Sequence, residues 1–142
     1  MEELWELKKL ILNRDYNGAL ALVEELEEMS KKDIINNIRS YAVILLLHIV
    51  KQTVENRTTR SWDDSIKYSR LEIQALNRRR KSKGNYLDEE DLEELLQDAF
   101  KLAIIKARQE MLEGVLSSEQ IAELVDKDDT IRRALNLILE AE

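Results

Sequence analysis

Four side chains in the middle of the chain are of types that bind or transform small molecules: His48, Lys51, Arg60 and Trp62. An imidazole can act as a base or a ligand, and a guanidinium beside an indole suits anions and flat rings. We treat these four residues as a candidate pocket. The alternative is structural, because a histidine among apolar residues tends to stay neutral and to fix helix packing. A tryptophan in the first turn of a helix is likewise more often a packing anchor.

A cluster of cations follows at Arg78, Arg79, Arg80, Lys81 and Lys83. Closely spaced cations can neutralise phosphates and bind nucleic acid in a salt-dependent way. Residues 51–83 carry a net charge of +6, whereas the rest of the chain carries −13. The cluster has two alternative roles. It can complement the dipole at a helix C-terminus, or it can face an acidic protein surface, including a second copy of this chain.

Paired carboxylates such as Glu24-Glu25 raise the question of a metal site. Di-iron sites in helical bundles use a Glu three residues before a His, but Leu45 occupies that position ahead of His48. The acidic residues fall mainly on polar helix faces and in first turns, where they are solvated and complement the dipole. We therefore expect no metal ion and no cofactor.

The scarcity of cysteine and glycine restricts the chemistry further. The chain has no cysteine, which removes disulfides, thiolate nucleophiles and cysteine-based metal sites. Its three scattered glycines cannot form a phosphate-cradling loop or the glycine-flanked elbow of a serine hydrolase. We assign no catalytic residue and lean away from an enzyme.

The same features bear on the compartment. The absence of cysteine fits a reducing cytoplasm, and no apolar run approaches the ~20 residues that span a bilayer. The first residues are acidic, where a secretion signal would be basic. We expect a cytoplasmic protein without a membrane partner.

Helices must position these side chains, because the chain lacks proline and its apolar residues recur at helical spacing. A length of 142 residues is about one domain, so we predict a single all-α helical bundle of six to seven helices. The first five are expected over residues 2–13, 15–29, 30–53, 61–79 and 88–113. A short helix follows Ser117, and a last one starts at Asp128 or Asp129. The expected N-terminal caps are Asp15, Ser30, Ser61 with Asp64, Asp88 and Ser117.

Three of these helices carry specific packing predictions. Helix 30–53 is apolar on every face and is therefore expected at the centre of the bundle. Helix 61–79 carries a narrow seam at Trp62, Ile66, Ser69, Ile73 and Leu76. Helix 88–113 is expected to be the longest and to end before Gly114, with Leu92, Leu95, Leu96, Ala99, Leu102, Ala103 and Ala107 facing inward.

The stretch from Glu24 to Ile73 carries a family resemblance. It combines an acidic helix, a leucine-rich helix ending in His48 and Lys51, and Arg60-Ser61-Trp62 at the start of the next helix. This order resembles the bacterial family called domain of unknown function 29 (DUF29), over roughly residues 3–112. The resemblance implies an all-helical fold and no assigned activity. The remainder, about 115–142, departs from the pattern and is expected to be a local helical elaboration.

Three functions remain open. The first is a non-enzymatic protein–protein interaction module that binds another protein or itself, as a homo-oligomer. The split charge and the narrow seam of helix 61–79 favour it. The second is a nucleic-acid-associated or toxin–antitoxin-like protein that uses the basic segment 78–83. The third is an enzyme with a pocket near His48.

Overall fold

A computed structural model of the chain describes residues 2–79, 83–111 and 116–140. The helices in these ranges are α1 Glu2–Leu12, α2 Tyr16–Glu55, α3 Arg60–Asn77, α4 Glu89–Glu110, α5 Ser118–Leu124 and α6 Lys127–Leu139. The only extended pairing among the described residues is one isolated antiparallel bridge between Arg78 and Asn85. The predicted all-α fold is confirmed, with six helices among the described residues.

The chain divides into two compact units, residues 1–35 and residues 36–142. We call them unit 1 and unit 2. Unit 1 holds α1 and the first part of α2, and unit 2 holds the rest of α2 with α3 to α6.

Unit 1 begins with a short helix that ends in a tight reversal. The N–H groups of Arg14 and Asp15 donate to the carbonyls of Ile11 and Leu10, at 3.0 and 2.9 Å. This is the Schellman pattern of helix termination, and Arg14 occupies its left-handed position with φ of 60°. Asp15 then caps α2 as predicted, because its carboxylate accepts from the N–H of Gly18 at 3.0 Å.

α2 is one continuous helix of 40 residues. The prediction that Ser30 ends one helix and caps another is wrong, and so is the prediction that helix 88–113 is the longest. The reason is that a serine inside a helix costs only a few tenths of a kcal/mol relative to Ala. Neither glycine nor proline lies between Gly18 and Glu55 to interrupt the hydrogen bonds.

The core of unit 2 is built around the second part of α2. Of the ten largest side chains with almost no exposure, five lie there: Ile38, Leu45, Leu46, Ile49 and Val50. Lys51, near the end of this segment, contacts Glu110 of α4 and Trp62 of α3. Elsewhere in unit 2, α4 packs against α5 and α6, and α3 packs against α6. The predicted central helix is therefore confirmed for its second part.

α4 is capped and aligned largely as the sequence predicts. Asp88 and Asp91 form a reciprocal capping box, with the N–H of Asp91 at 2.8 Å from the Asp88 carboxylate. The inward position predicted for Leu102 is wrong, since Leu102 is exposed and Phe100 and Ile104 are buried instead. The helix is already at its C-terminal cap at Met111. Gly114 lies outside the described residues.

The last two helices lie close to their predicted positions. Ser117 caps α5 in a second capping box with Gln120. α6 starts slightly earlier than predicted, because Asp126 is its N-cap and accepts from the N–H of Asp129 at 3.1 Å.

Side chains of α3 bind the C-terminal end of α6. Arg70 Nε donates to the carbonyl of Leu137 at 2.7 Å. The Gln74 amide donates to the carbonyls of Ile138 and Glu140, at 2.9 and 2.8 Å. Carbonyl groups at a helix end have no partner within the helix, so these two side chains supply donors that the helix itself lacks.

Asn77 closes the connection between α3 and α4. Its side chain is buried, donates to the carbonyl of Leu87 at 3.0 Å and accepts from the N–H of the same residue at 2.8 Å. The N–H of Tyr86 donates to the Asn77 carbonyl at 2.8 Å. Gly84, with φ of 98°, supplies the left-handed backbone of this turn.

α2 also meets the length and composition criteria for a membrane-spanning helix. Its most apolar 18 residues have a mean hydropathy of 1.3, and 44% of that stretch is buried inside the protein. A core helix of a soluble protein meets the same criteria, and this one supplies half of the most buried side chains of unit 2. The expectation of a chain without a membrane-spanning segment stays a prediction.

Replacement of Asn77 by alanine is expected to lower the free energy of unfolding by about 2 to 4 kcal/mol, because it leaves a buried N–H and a buried carbonyl of Leu87 unpaired. Urea unfolding followed by circular dichroism measures the change. Asn85→Ala, on the exposed side of the same turn, is the control. Equal losses for the two variants would mean that the buried bonds contribute nothing.

Candidate functional site

The structure brings two of the four candidate pocket residues together. Lys51 and Trp62 come together, with the Lys51 ammonium 5.7 Å from the centre of the indole ring. Arg60 lines a different groove on α3. The His48 Nδ1 lies 2.8 Å from the carbonyl of Ile44, one turn earlier on its own helix. His48 is partly buried, and this bond is of the kind that fixes a ring against its own helix.

Lys51 is the most informative of the four. Its side chain is buried, with 7% of the residue exposed, and its ammonium forms an ion pair with Glu110 at 3.2 Å. Because Lys51 lies on α2, Trp62 on α3 and Glu110 on α4, one buried cation connects three helices. The tryptophan therefore receives a cation from the core side rather than presenting an open ring to a ligand.

The α2–α3 turn holds Trp62 in place. The N-cap of α3 is Thr59, whose hydroxyl accepts from the N–H of Trp62 at 3.1 Å. The predicted caps, Ser61 and Asp64, lie inside the helix instead. Thr59 takes the role because its extended backbone, with φ of −126°, points its hydroxyl at the first turn.

A second cation lies over the same indole. The guanidinium carbon of Arg57 is 4.7 Å from the centre of the Trp62 ring, and Arg57 also pairs with Glu55 at 2.9 Å. Two cations thus approach one aromatic ring from α2 and from the turn after it. The arrangement is consistent with Trp62 as an anchor of the turn.

The groove that contains Arg60 runs along one side of α3, within unit 2. We call it the α3 groove. Its volume is about 720 Å³, and it is lined by Ile44, Arg60, Ser61, Asp64, Ser65, Tyr68 and Ser69. Beside it, the rings of Tyr41 and Tyr68 meet edge to face, with centres 6.0 Å apart. Hydrogen bonding with the Tyr68 hydroxyl raises the pKa of Tyr41 above its ordinary value.

The basic segment 78–83 is described only in part. Arg78, Arg79 and Lys83 are exposed, whereas the predicted Arg80 and Lys81 lie outside the described residues. Arg79 stacks over Tyr86, at 5.6 Å from its guanidinium carbon to the ring centre. The described cations flank a turn closed by backbone bonds, among them the N–H of Arg79 to the carbonyl of Gly84 at 3.1 Å.

Sequence reasoning missed an exposed apolar surface in unit 1. None of the described residues of α1 is buried. Leu4, Trp5, Ile11 and Leu12 are 50 to 71% exposed, and we call them the α1 stripe. The sequence contained a signal for this surface. A helix that is buried on one side needs a single apolar face, which Leu4, Leu7 and Ile11 supply, and Trp5 and Leu12 lie outside that face.

The acidic residues do not form a metal centre in the part of the chain that the structure describes. No group of three or more His, Asp or Glu side chains there is arranged to hold a metal ion. The carboxylates of Glu24, Glu25, Glu27 and Glu28 are exposed.

The fold defines an all-α helical protein with capped helices and a buried cation in unit 2. Its sequence matches the family described as domain of unknown function DUF29 over residues 15–135. The chain belongs to that family. The match starts after α1 and reaches into α6, so the family pattern extends past residue 112 and takes in α5. No curated protein and no solved structure matches the chain.

Removal of Glu110, the partner of Lys51, is expected to lower the free energy of unfolding more than removal of Lys51 itself. Glu110→Ala leaves a buried ammonium without its carboxylate and should lower the free energy of unfolding by about 1 to 3 kcal/mol. Lys51→Met keeps the apolar stem of the side chain and leaves Glu110, which is 47% exposed, to water. The Lys51→Met variant should therefore lose less free energy of unfolding than Glu110→Ala.

Chemical unfolding of both variants beside Glu94→Ala, an exposed acid on the same helix, measures the difference. If Glu110→Ala is no worse than Glu94→Ala, the buried ion pair does not stabilise the fold.

Proposed function

We propose that the protein is a non-enzymatic protein–protein interaction module that associates with a second copy of itself through unit 1. The observation that carries the proposal is the concentration of exposed large apolar side chains in residues 2–35. Seven of the twelve in the described chain lie there: Leu4, Trp5, Ile11, Leu12, Tyr16, Leu20 and Met29. A concentration of exposed large apolar side chains commonly marks an interaction site.

The α1 stripe has the geometry of a helix–helix contact. Leu4 and Ile11 are seven residues apart, and so are Trp5 and Leu12. Side chains at this spacing lie almost above one another on a helix, which gives two adjacent rows along one face. A face of this shape buries the largest apolar area when it packs against another helix. Each fully buried leucine or isoleucine contributes about 1.5 to 3 kcal/mol relative to exposure.

The charges beside the stripe favour a second copy as the occupant. The first half of α1 carries Glu2, Glu3 and Glu6, and the second half carries Lys8 and Lys9. When two such helices pair antiparallel, the acidic half of each lies beside the basic half of the other. A two-fold symmetric contact of this kind uses one surface twice. The same order recurs on α2, where exposed glutamates at 24–28 precede exposed Lys31 and Lys32.

One of these lysines also contacts the stripe directly. The Lys9 ammonium lies 4.5 Å from the centre of the Trp5 ring. Lys8 projects between the rows of the stripe, and its long side chain can lie along the apolar surface with the charge in water. The two lysines set the direction of the contact, because like halves of two helices would repel.

Replacement of Leu4 and Ile11 by aspartate is expected to give a monomer, because each substitution removes apolar area twice in a symmetric contact. The dissociation constant of the dimer should rise at least about tenfold. Sedimentation equilibrium of the purified protein measures it. Leu102→Asp, at an exposed leucine of α4 in unit 2, is the control and should leave the mass unchanged.

Charge exchange tests the antiparallel order. Glu6→Lys and Lys9→Glu should each weaken the dimer, and the double variant should restore it. A wild-type protein that stays monomeric at millimolar concentration would refute self-association. A dimer that the double variant does not restore would refute the antiparallel order.

The basic segment supports a second candidate function, binding of nucleic acid. Arg78, Arg79 and Lys83 are exposed on a closed turn, which places three cations on one short segment. Phosphate contacts by such cations weaken steeply as salt rises. A titration with single- and double-stranded nucleic acid at two salt concentrations tests this candidate. Salt-sensitive binding that Arg78→Ser with Arg79→Ser abolishes would support it over the first.

A further inference from the structure

We propose that Tyr41 and Tyr68 form a modification site, at which an oxidant joins the two rings covalently and thereby fixes α2 to α3. Tyr41 lies on α2 and Tyr68 on α3, and the rings meet edge to face, with centres 6.0 Å apart and planes at 64°. Aromatic pairs at this distance are in direct contact. Both residues lie in unit 2, so the site does not depend on the association of unit 1.

A hydrogen bond between the two hydroxyls brings the reactive carbons of the rings together. The bond with Tyr68 is the largest cause of the raised pKa of Tyr41. A bond that raises a pKa stabilises the protonated form, so the Tyr41 hydroxyl donates and the Tyr68 oxygen accepts. The ortho carbons of a phenol are next to the carbon that carries the hydroxyl, and oxidised phenols couple at these carbons. The hydrogen bond therefore keeps the coupling positions of both rings close to one another.

Exposure gives an oxidant access to one member of the pair. Tyr68 is 59% exposed, whereas Tyr41 is half-buried. Tyr16 is also exposed, but no ring of the described residues contacts it. The Tyr86 ring has the Arg79 guanidinium carbon 5.6 Å from its centre, and a cation over a ring opposes the loss of an electron. Access and a neighbouring ring therefore coincide at Tyr68.

The crosslink forms by the removal of two hydrogen atoms. Hydrogen peroxide, acting through a haem peroxidase, takes one electron and one proton from each hydroxyl and is reduced to two molecules of water. The two tyrosyl radicals then form one carbon–carbon bond between ortho carbons, and the hydrogen atom on each of these carbons is transferred to the oxygen of its own ring. The product is dityrosine, in which both phenols are restored.

The composition of the chain favours coupling of the radicals over their repair. A thiol beside a tyrosyl radical would return a hydrogen atom to it and would itself be oxidised. The chain contains no cysteine, so this reaction within the molecule is excluded. The radicals of Tyr41 and Tyr68 are therefore left to combine with each other.

Oxidation of the full chain in dilute solution tests the proposal. A haem peroxidase and one equivalent of hydrogen peroxide are added, and the product is followed by dityrosine fluorescence and by mass spectrometry. The expected product is a single chain that is lighter by two hydrogen atoms and yields one crosslinked peptide with residues 41 and 68. Oxidation of methionine adds an oxygen atom instead, so the mass separates the two reactions. A product that is linked only between chains would overturn the proposal.

Phenylalanine variants locate the crosslink. Tyr41→Phe and Tyr68→Phe keep the ring pair and remove one hydroxyl each. Each should lower the yield of intrachain dityrosine at least about tenfold, because coupling between distant rings lacks the advantage of proximity. Tyr16→Phe and Tyr86→Phe are the matched controls and should leave the yield unchanged. Intrachain dityrosine that survives both Tyr41→Phe and Tyr68→Phe would overturn the site.

The melting temperature shows whether the crosslink joins the helices in their native arrangement. A link between residues 41 and 68 closes a loop and restricts the unfolded chain, so the oxidised protein should melt at a higher temperature. Tyr68→Phe treated in the same way is the control, since it meets the same reagents without forming the link. A melting temperature that fails to rise would show that the rings leave their native contact to couple, which would overturn the argument from geometry.

Discussion

The ammonium of Lys51 is the constraint on which much of unit 2 depends. A buried cation needs an anionic partner and neighbouring groups that accept a positive charge. Glu110 is the anionic partner of Lys51, and the face of the Trp62 ring is the neighbouring group. These partners lie on α4 and α3, so the fold satisfies Lys51 only when three helices have their native register. One hydrophobic residue of α2 can pack in place of another, whereas the contacts of Lys51 require one arrangement of the three helices. It therefore specifies the alignment of helices that apolar burial alone would leave loosely determined.

Polar side chains supply the same kind of specificity at the helix ends. Arg70 and Gln74 bind the last carbonyls of α6, and Asn77 binds both backbone groups of Leu87. In each case a side chain on α3 completes the hydrogen bonding of a distant segment. α3 buries only Ser69, Ile73 and Asn77, two of which are polar. Its contribution to the core is thus directional rather than hydrophobic, in contrast to α2.

The sequence predicted most strongly those features that depend on neighbouring residues. Asp15, Asp88 and Ser117 cap helices as expected because a cap is a contact over three residues. The prediction failed where two local choices were nearly equal in free energy. Around Leu102 the apolar residues of α4 offer two inward faces, and only the packing of α4 against α5 and α6 selects the one with Phe100 and Ile104. Of the four candidate pocket residues, the structure brings Lys51 and Trp62 together, whereas Arg60 lines a groove on α3.

Three serines show why the functional part of the molecule is harder to predict than its fold. Ser30, Ser117 and Ser69 have the same side chain, yet they lie inside a helix, at a helix start and in the wall of a groove. Sequence reasoning handled Ser117 correctly, because Gln120 completes its capping box. It gave Ser30 the same role, although the residues before Ser30 continue the helix. It placed Ser69 in a packing seam, and the structure buries it there, but the missing partner of its hydroxyl is visible only in three dimensions. A sequence pattern records which groups can form hydrogen bonds but not which of them do, so a hydroxyl without a partner is found only after the fold is assembled.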